Sequence, residues 1–125
     1  MSRVETGRSE QVEVINSLAH MYRANGYAGR ALVLLLVAQE LDPEDSGVQL
    51  NLAHVLFLNG KLHEALTVLE RFLAVNREIL AADDPVHLLH ARILWALDRK
   101  ERSRTIFHAF AQARRGAVQP VALAS

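Results

Sequence analysis

The sequence predicts an all-α fold: three tandem helix–turn–helix repeats forming a short right-handed superhelix. Two observations carry that expectation. The segment SLAHMYRANGYAGRALVLL, beginning at Ser17, recurs as NLAHVLFLNGKLHEALTVL, beginning at Asn51. Leu18, Ala19, His20, Asn25, Gly26, Ala31, Leu32 and Leu35 each recur 34 residues later, as Leu52, Ala53, His54, Asn59, Gly60, Ala65, Leu66 and Leu69. Chance similarity does not hold one offset through eight positions. Composition points the same way, because Ala and Leu dominate and both favour helices. The few prolines and glycines fall at apparent boundaries.

A third, weaker copy follows the second at an offset of 38. Ala91 matches Ala53, Asp98 matches Gly60, Ser103 matches Ala65 and Phe107 matches Leu69. The extra residues lie near REILAADD, before Pro85.

Each element follows from this register. The first helix is expected over Glu10–Ala24, with Ser9 as its cap. Gly26 and Gly60 supply the backbone freedom for the turns inside the first two pairs. The second helix is expected over Ala28–Leu41, the third over Gly47–Leu58 and the fourth over Leu62–Leu80. Asp84 followed by Pro85 reads as an N-cap and a first helical residue, opening a fifth helix to Leu97. A sixth is expected over Lys100–Arg114, stopped by Gly116. The domain then spans 10–115, with repeats at 12–45, 46–83 and 84–115. Residues 1–9 and 116–125 are expected to be flexible ends.

Composition excludes several classes of function. Cysteine is absent, so disulfides and thiolate metal sites are ruled out, in keeping with a reducing cytoplasm. The start, MSRVETGRSE, lacks the apolar core of a secretory signal. The apolar run Ala31–Ala38 is far too short to span a bilayer. A cytoplasmic protein without membrane insertion is expected. Net charge is zero, which does not favour nucleic acid. The charge is uneven, however: Arg99, Lys100, Arg102, Arg104, Arg114 and Arg115 make the C-terminal end basic. That end could steer an acidic partner, or be a solvated helix face.

His87 and His90, one helical turn after Asp83 and Asp84, invite a zinc reading. No fourth ligand is evident, and acids at a helix start are expected as caps, so no metal is assigned. Ser103 stands where the repeat has alanine and reads as a packing residue, not a nucleophile. NGYAG is a helix–helix turn rather than a phosphate loop. Arg99–Arg104 lacks interleaved aromatics for base stacking. No enzyme activity and no cofactor are expected.

A 34-residue period of paired helices is the tetratricopeptide pattern, W-x2-L-G-x2-Y, then A-x3-F, then P. The first copy reads Ile15, Leu18, Ala19, Tyr22, Ala31, Leu35 and Pro43. The second reads Gln49, Leu52, Ala53, Leu56, Ala65 and Leu69. The third reads His87, His90, Ala91, Leu94, Ser103 and Phe107. In such repeats the first helices line a concave groove and the second helices form the convex back. The groove would be lined by Asn16, His20 and Arg23, by Leu50, His54 and Phe57, and by Leu88, Arg92 and Trp95. Phe57 and Trp95 are the expected aromatic anchors for a peptide. Trp95 has a second reading, as core beside Phe107.

The second helix has an unusual back. Ala31, Leu32, Leu35 and Ala38 take the inward positions, which leaves Val33, Leu34, Leu36 and Val37 outward. The matching outward residues are Thr67, Val68, Glu70 and Arg71 in the second pair, and Thr105, Ile106, His108 and Ala109 in the third. Burying the four apolar side chains is worth roughly 6 kcal/mol before association costs. Soluble monomers rarely leave such a patch open. Its expected cover is another chain, or else the chain's own ends, the tail VQPVALA before the polar residues 1–9; plain exposure is the remaining alternative.

From about Val14 to Arg115 the chain resembles the small three-repeat chaperones of bacterial type III secretion systems, most closely the Y-type class. The resemblance rests on the short chain, the three repeats, the LDPED end of the first unit and the leucine-rich second helix. It implies holding rather than catalysis: a chaperone that binds a small export substrate and presents it to an export-gate component. The departures from the ideal repeat at Arg77 and Ser103 imply a third unit that packs loosely until a partner binds. The alternative is a repeat scaffold or homodimeric adaptor of another pathway.

Overall fold

The computed structural model describes residues 3–124, with side chains described for 7–117. The described residues form six α-helices and no strand: α1 (Arg3–Ala24), α2 (Ala28–Leu41), α3 (Ser46–Leu58), α4 (Leu62–Asn76), α5 (Val86–Ala96) and α6 (Lys100–Ala124). They alternate with short connections, as tandem helix–turn–helix repeats require. The chain divides into two compact units, one ending at Leu73 and the other beginning at Ala74.

The backbone repeats the register of the sequence. Within each pair one residue enters the left-handed region: Gly26 at φ 85°, Gly60 at φ 76° and Asp98 at φ 62°. That residue donates to a carbonyl three back: Gly26 to Arg23, Gly60 to Phe57 and Asp98 to Trp95, at 3.0–3.1 Å. The next amide donates five back: Tyr27 to Tyr22, Lys61 to Leu56 and Arg99 to Leu94, at 2.8–2.9 Å. Both bonds occupy carbonyls that the end of a helix leaves without intrahelical donors.

In the first unit α2 packs against both α1 and α3, and α1 also reaches α3. Ala19, Ala31, Leu35, Ala38, Ala53 and Val55 are fully enclosed. The alanines let backbones approach closely, and the larger side chains fill the space between them. An aspartate precedes the first helix of each later repeat; Asp45 is the N-cap of α3, whereas at α5 the N-cap is Pro85, one position beyond the expected Asp84. Asp45 Oδ1 accepts from the Val48 amide at 2.9 Å at the start of α3. Asp84 Oδ1 accepts from the Val86 amide at 2.9 Å, and its carbonyl accepts from His87 at 3.1 Å. Asp84 therefore organises the start of α5, and Pro85, at φ −56° and ψ −18°, leads into a helix that begins at Val86.

In the second unit α5 packs on α6. Val86, Ile93, Leu94 and Phe110 are buried. Ser103, also buried, donates its hydroxyl to the Ala91 carbonyl at 2.6 Å. The hydroxyl is thus satisfied where the other repeats hold alanine, and a loose third pair is not required to accommodate it.

Several sequence expectations are corrected. The first helix starts at Arg3 instead of Glu10, so Ser9 lies inside it and is not its cap. Apart from Gly7, residues 3–9 contain no strong helix breaker, and one glycine costs only about 1 kcal/mol. Gly116 alone likewise does not stop the last helix, which continues past Pro120 to Ala124 where a loose tail was expected. The fourth helix ends at Asn76, before the expected Leu80, and a turn follows. Phe107 takes the slot of Leu35 and Leu69 but is 49% exposed, whereas both leucines are enclosed. In a repeat array that slot is covered by the next repeat's first helix, and α6 has no such neighbour among the described residues.

Candidate protein-binding faces

Two surfaces of the first unit hold most of the residues singled out from the sequence. On the back of α2, Val33, Leu36 and Val37 are 63%, 46% and 48% exposed, while Ala31, Leu35 and Ala38 are enclosed. The spacing of three and four puts the exposed residues on one helix face. Leu34 and Leu32 lie at its flanks, half-buried. The helix is apolar around most of its circumference because one side closes the core while the other meets solvent.

The second surface joins α1 and α3 and is polar. Asn51 donates through Nδ2 to the side-chain oxygen of Asn16 at 3.0 Å and to the Asn16 carbonyl at 3.3 Å. Asn51 Oδ1 is buried without a partner. One turn on, Arg23 bridges the two helices. Its Nη2 donates to His20 Nδ1 at 2.7 Å and its Nη1 to His54 Nε2 at 3.5 Å. A guanidinium only donates, so both imidazole nitrogens must accept with a lone pair. Arg23 Nε is buried and has no partner. Leu50 and Phe57 are half-buried on α3. Gly47 permits the close approach of Asn16, because a Cβ there would lie 3.2 Å from the Asn16 amide nitrogen.

Sequence reasoning placed Asn16, His20, Arg23 and His54 on a common face and missed Asn51. Asn51 sits next to Leu50, the residue that keeps the 34-residue register with Asn16. The pairing partner of Asn16 is therefore one position beyond its repeat equivalent, and only coordinates reveal that offset.

In the second unit Leu88 is half-buried and Arg92 exposed on α5. Trp95 is 50% exposed, which removes the reading of it as core beside Phe107. Lys100 Nζ lies 5.1 Å and Arg104 Cζ 5.8 Å from its ring centroid, within cation–π range. The basic stretch is thus associated with an aromatic after all, one supplied from α5 across the turn.

His87, considered above as a zinc ligand, instead makes a 3.2 Å contact between Nε2 and the Ala81 carbonyl. Gln49, at the same repeat slot, donates to the Pro43 carbonyl at 2.9 Å. Both residues tie their helix start to the chain six positions upstream. Among the described residues no group of three His, Cys, Asp or Glu side chains could hold a metal ion, and no helix is long and apolar enough to cross a membrane.

Comparison with known proteins bears on the fold. The tetratricopeptide-repeat family model matches residues 48–86. No curated protein matches the chain. Among solved structures, MamA AMB-1 superposes with a TM-score of 0.69 at 22% identity, over 84% of this chain. The chain spans 60% of the length of that structure. The architecture is therefore that of tandem helix pairs of the tetratricopeptide type.

Proposed function

We propose that this chain is a protein-binding repeat scaffold, acting as a holding chaperone for a small export substrate of a bacterial type III secretion system. The observation that carries the reading is the back of α2. Val33, Leu36 and Val37 lie open to solvent on a helix whose opposite side is enclosed. A second chain covering them would remove that apolar area from water. The polar α1/α3 face, with Leu50 and Phe57, and the Trp95 region of α5 and α6 are further contact surfaces. The secretion assignment rests on the resemblance of the repeat organisation, LDPED and the leucine-rich second helix to Y-type chaperones.

The test is co-expression with the small open reading frames beside the gene, followed by co-purification and determination of mass in solution. A stable complex with a neighbouring client, abolished by Val33→Glu with Leu36→Glu, supports a chaperone whose client covers this back. A complex that survives the double substitution, while a homodimer is lost, moves the client to the α1/α3 face. Self-association through Val33 and Leu36 without any client favours a homodimeric adaptor. The absence of export-apparatus genes nearby would count against the secretion role.

A further inference from the structure

The first and last helices expose the two halves of a junction that the chain builds in its interior, where α2 packs against α3. Asn59, at the end of α3, donates to the Ala28 carbonyl at the start of α2 at 3.1 Å, so these two helices run antiparallel. Val48, Leu52 and Val55 share one face of α3 by their spacing of four and three, and none is more than 2% exposed. The repeat register puts Val14, Leu18 and Met21 on the matching face of α1, 34 residues earlier. There Val14 is 65% and Met21 54% exposed, with Leu18 half-buried. This face lies around the helix from Asn16, His20 and Arg23, and so is separate from the groove side. At the other end Phe107 holds the slot of Leu35 and stands half open, although Leu35 is enclosed. Lys100, Arg104, Ala111 and Arg114 fall on the same side of α6 as Phe107 by helical spacing, and the three cations are exposed. The open face of α1 carries the opposite charge: Glu10, one turn before Val14, is exposed, while Arg8 is turned away by its spacing. Neither face is covered by the chain end next to it. α1 is helical from Arg3 and α6 to Ala124, so each end runs on along its own axis and does not fold back over its helix.

We propose that the open face of α1 on one copy of this chain stacks antiparallel on the open face of α6 on a second copy, repeating between chains the step that α2 and α3 make within one. Carrying the α2–α3 register across sets Leu18 against Phe107 and Val14 against Ala111. Met21 lies along the apolar stem of Arg104, and Glu10 comes beside Arg114. The apolar contact supplies the attraction, and the acidic start of α1 and the basic border of α6 select the orientation. The two surfaces differ, so the contact is heterologous and each added copy offers a fresh face to the next. The inference goes beyond the client reading and uses neither the back of α2 nor the groove side.

Sedimentation velocity on the purified chain tests this. The average mass of the wild-type chain should rise with concentration from micromolar to millimolar, and added sodium chloride should lower it by screening Glu10 from Arg114. Val14→Lys and Phe107→Lys should each weaken association about tenfold or more, since each removes apolar contact and sets a cation in the junction. Mixed in equal amounts, the two variants should form a pair and stop there, because each keeps the intact face that the other lacks. Both positions are exposed in the single chain, so the fold bears the change. If a variant nevertheless unfolds, the Met21 methyl resonance of the wild-type chain still reads the contact and should shift as concentration rises. A mass that stays that of one chain, indifference to both lysine variants, mixed variants that do not pair, or an unmoved Met21 resonance would each overturn the proposal. So would self-association that Val33→Glu with Leu36→Glu abolishes and the lysine variants leave untouched, since that places the contact on the back of α2.

Discussion

In the first helix pair the turn residue is Gly26 and in the third it is Asp98, yet both turns close with the same two backbone bonds at nearly the same lengths. Elsewhere the two pairs diverge. The first pair's slot for a large apolar side chain holds Leu35, fully enclosed, and the third pair's holds Phe107, half in solvent. Where the first pair has Ala31, the third has Ser103 with a hydrogen-bonded hydroxyl. At the last position of the groove-side signature, Arg23 meets two imidazoles and Trp95 meets two cations. Backbone geometry is thus conserved through the array while side-chain chemistry varies, because the turn is closed by main-chain groups that every residue carries.

The largest effect that would sharpen this contrast is at the apolar slot. Leu35→Ala should cost about 2–5 kcal/mol in urea unfolding, whereas Phe107→Ala should cost under about 1 kcal/mol. Similar losses would mean that the exposed phenylalanine carries packing that its accessibility hides. Ser103→Ala restores the residue of the other repeats and is nevertheless expected to destabilise the chain, by about 1–2 kcal/mol, since the Ala91 carbonyl loses its buried donor. A neutral or stabilising outcome in thermal melts would make the hydroxyl incidental. Asp98→Gly should stabilise by about 0.5–1 kcal/mol by relieving the left-handed backbone, and Gly60→Ala should destabilise by about 1 kcal/mol. If Asp98→Gly is destabilising, the aspartate side chain does more at this turn than occupy it. The smallest effect belongs to surface charges. The Lys61–Glu64 pair at 4.0 Å and the Lys100–Asp98 pair at 3.7 Å are both exposed. Glu64→Gln should change stability by less than about 0.5 kcal/mol.

The helix pairs were legible in the sequence because the repeat writes its turn residues and small crossing residues at fixed offsets. Gly26, Gly60, Ala19 and Ala53 announce themselves by recurrence, and even Asp98 was locatable by register although its conformation was not. Helix ends were less legible. Ser9 looks like a cap and Gly116 like a stop, but the helices run through both, since a single glycine carries only a modest propensity cost. Spacing along α2 alone points to Val33, Leu36 and Val37 as its exposed back, whereas Leu34, expected with them, is half-buried at the flank. The Arg23 cluster could be placed on its face but not assembled. That guanidinium joins residues 31 apart through side-chain rotamers, on which the repeat register has no bearing. The position of Trp95 against Lys100 and Arg104 was hidden for a related reason: the partners lie on different helices, and a scan for aromatics inside the basic run does not cross the turn.

Asn59 uses both hydrogens of its amide. One goes to the Val55 carbonyl at 2.8 Å in its own helix, the other to the Ala28 carbonyl at 3.1 Å at the start of α2. Its counterpart Asn25 makes the local bond alone, to Met21 at 2.8 Å. Beside the Asn51–Asn16 and Arg23–His54 bonds, one planar group therefore ties the end of α3 to α2, so opening of α2's first turn strips a tie from the end of α3. Slow hydrogen–deuterium exchange in these two segments should then rise and fall together, a local cooperativity that acts between neighbouring repeats and needs no partner.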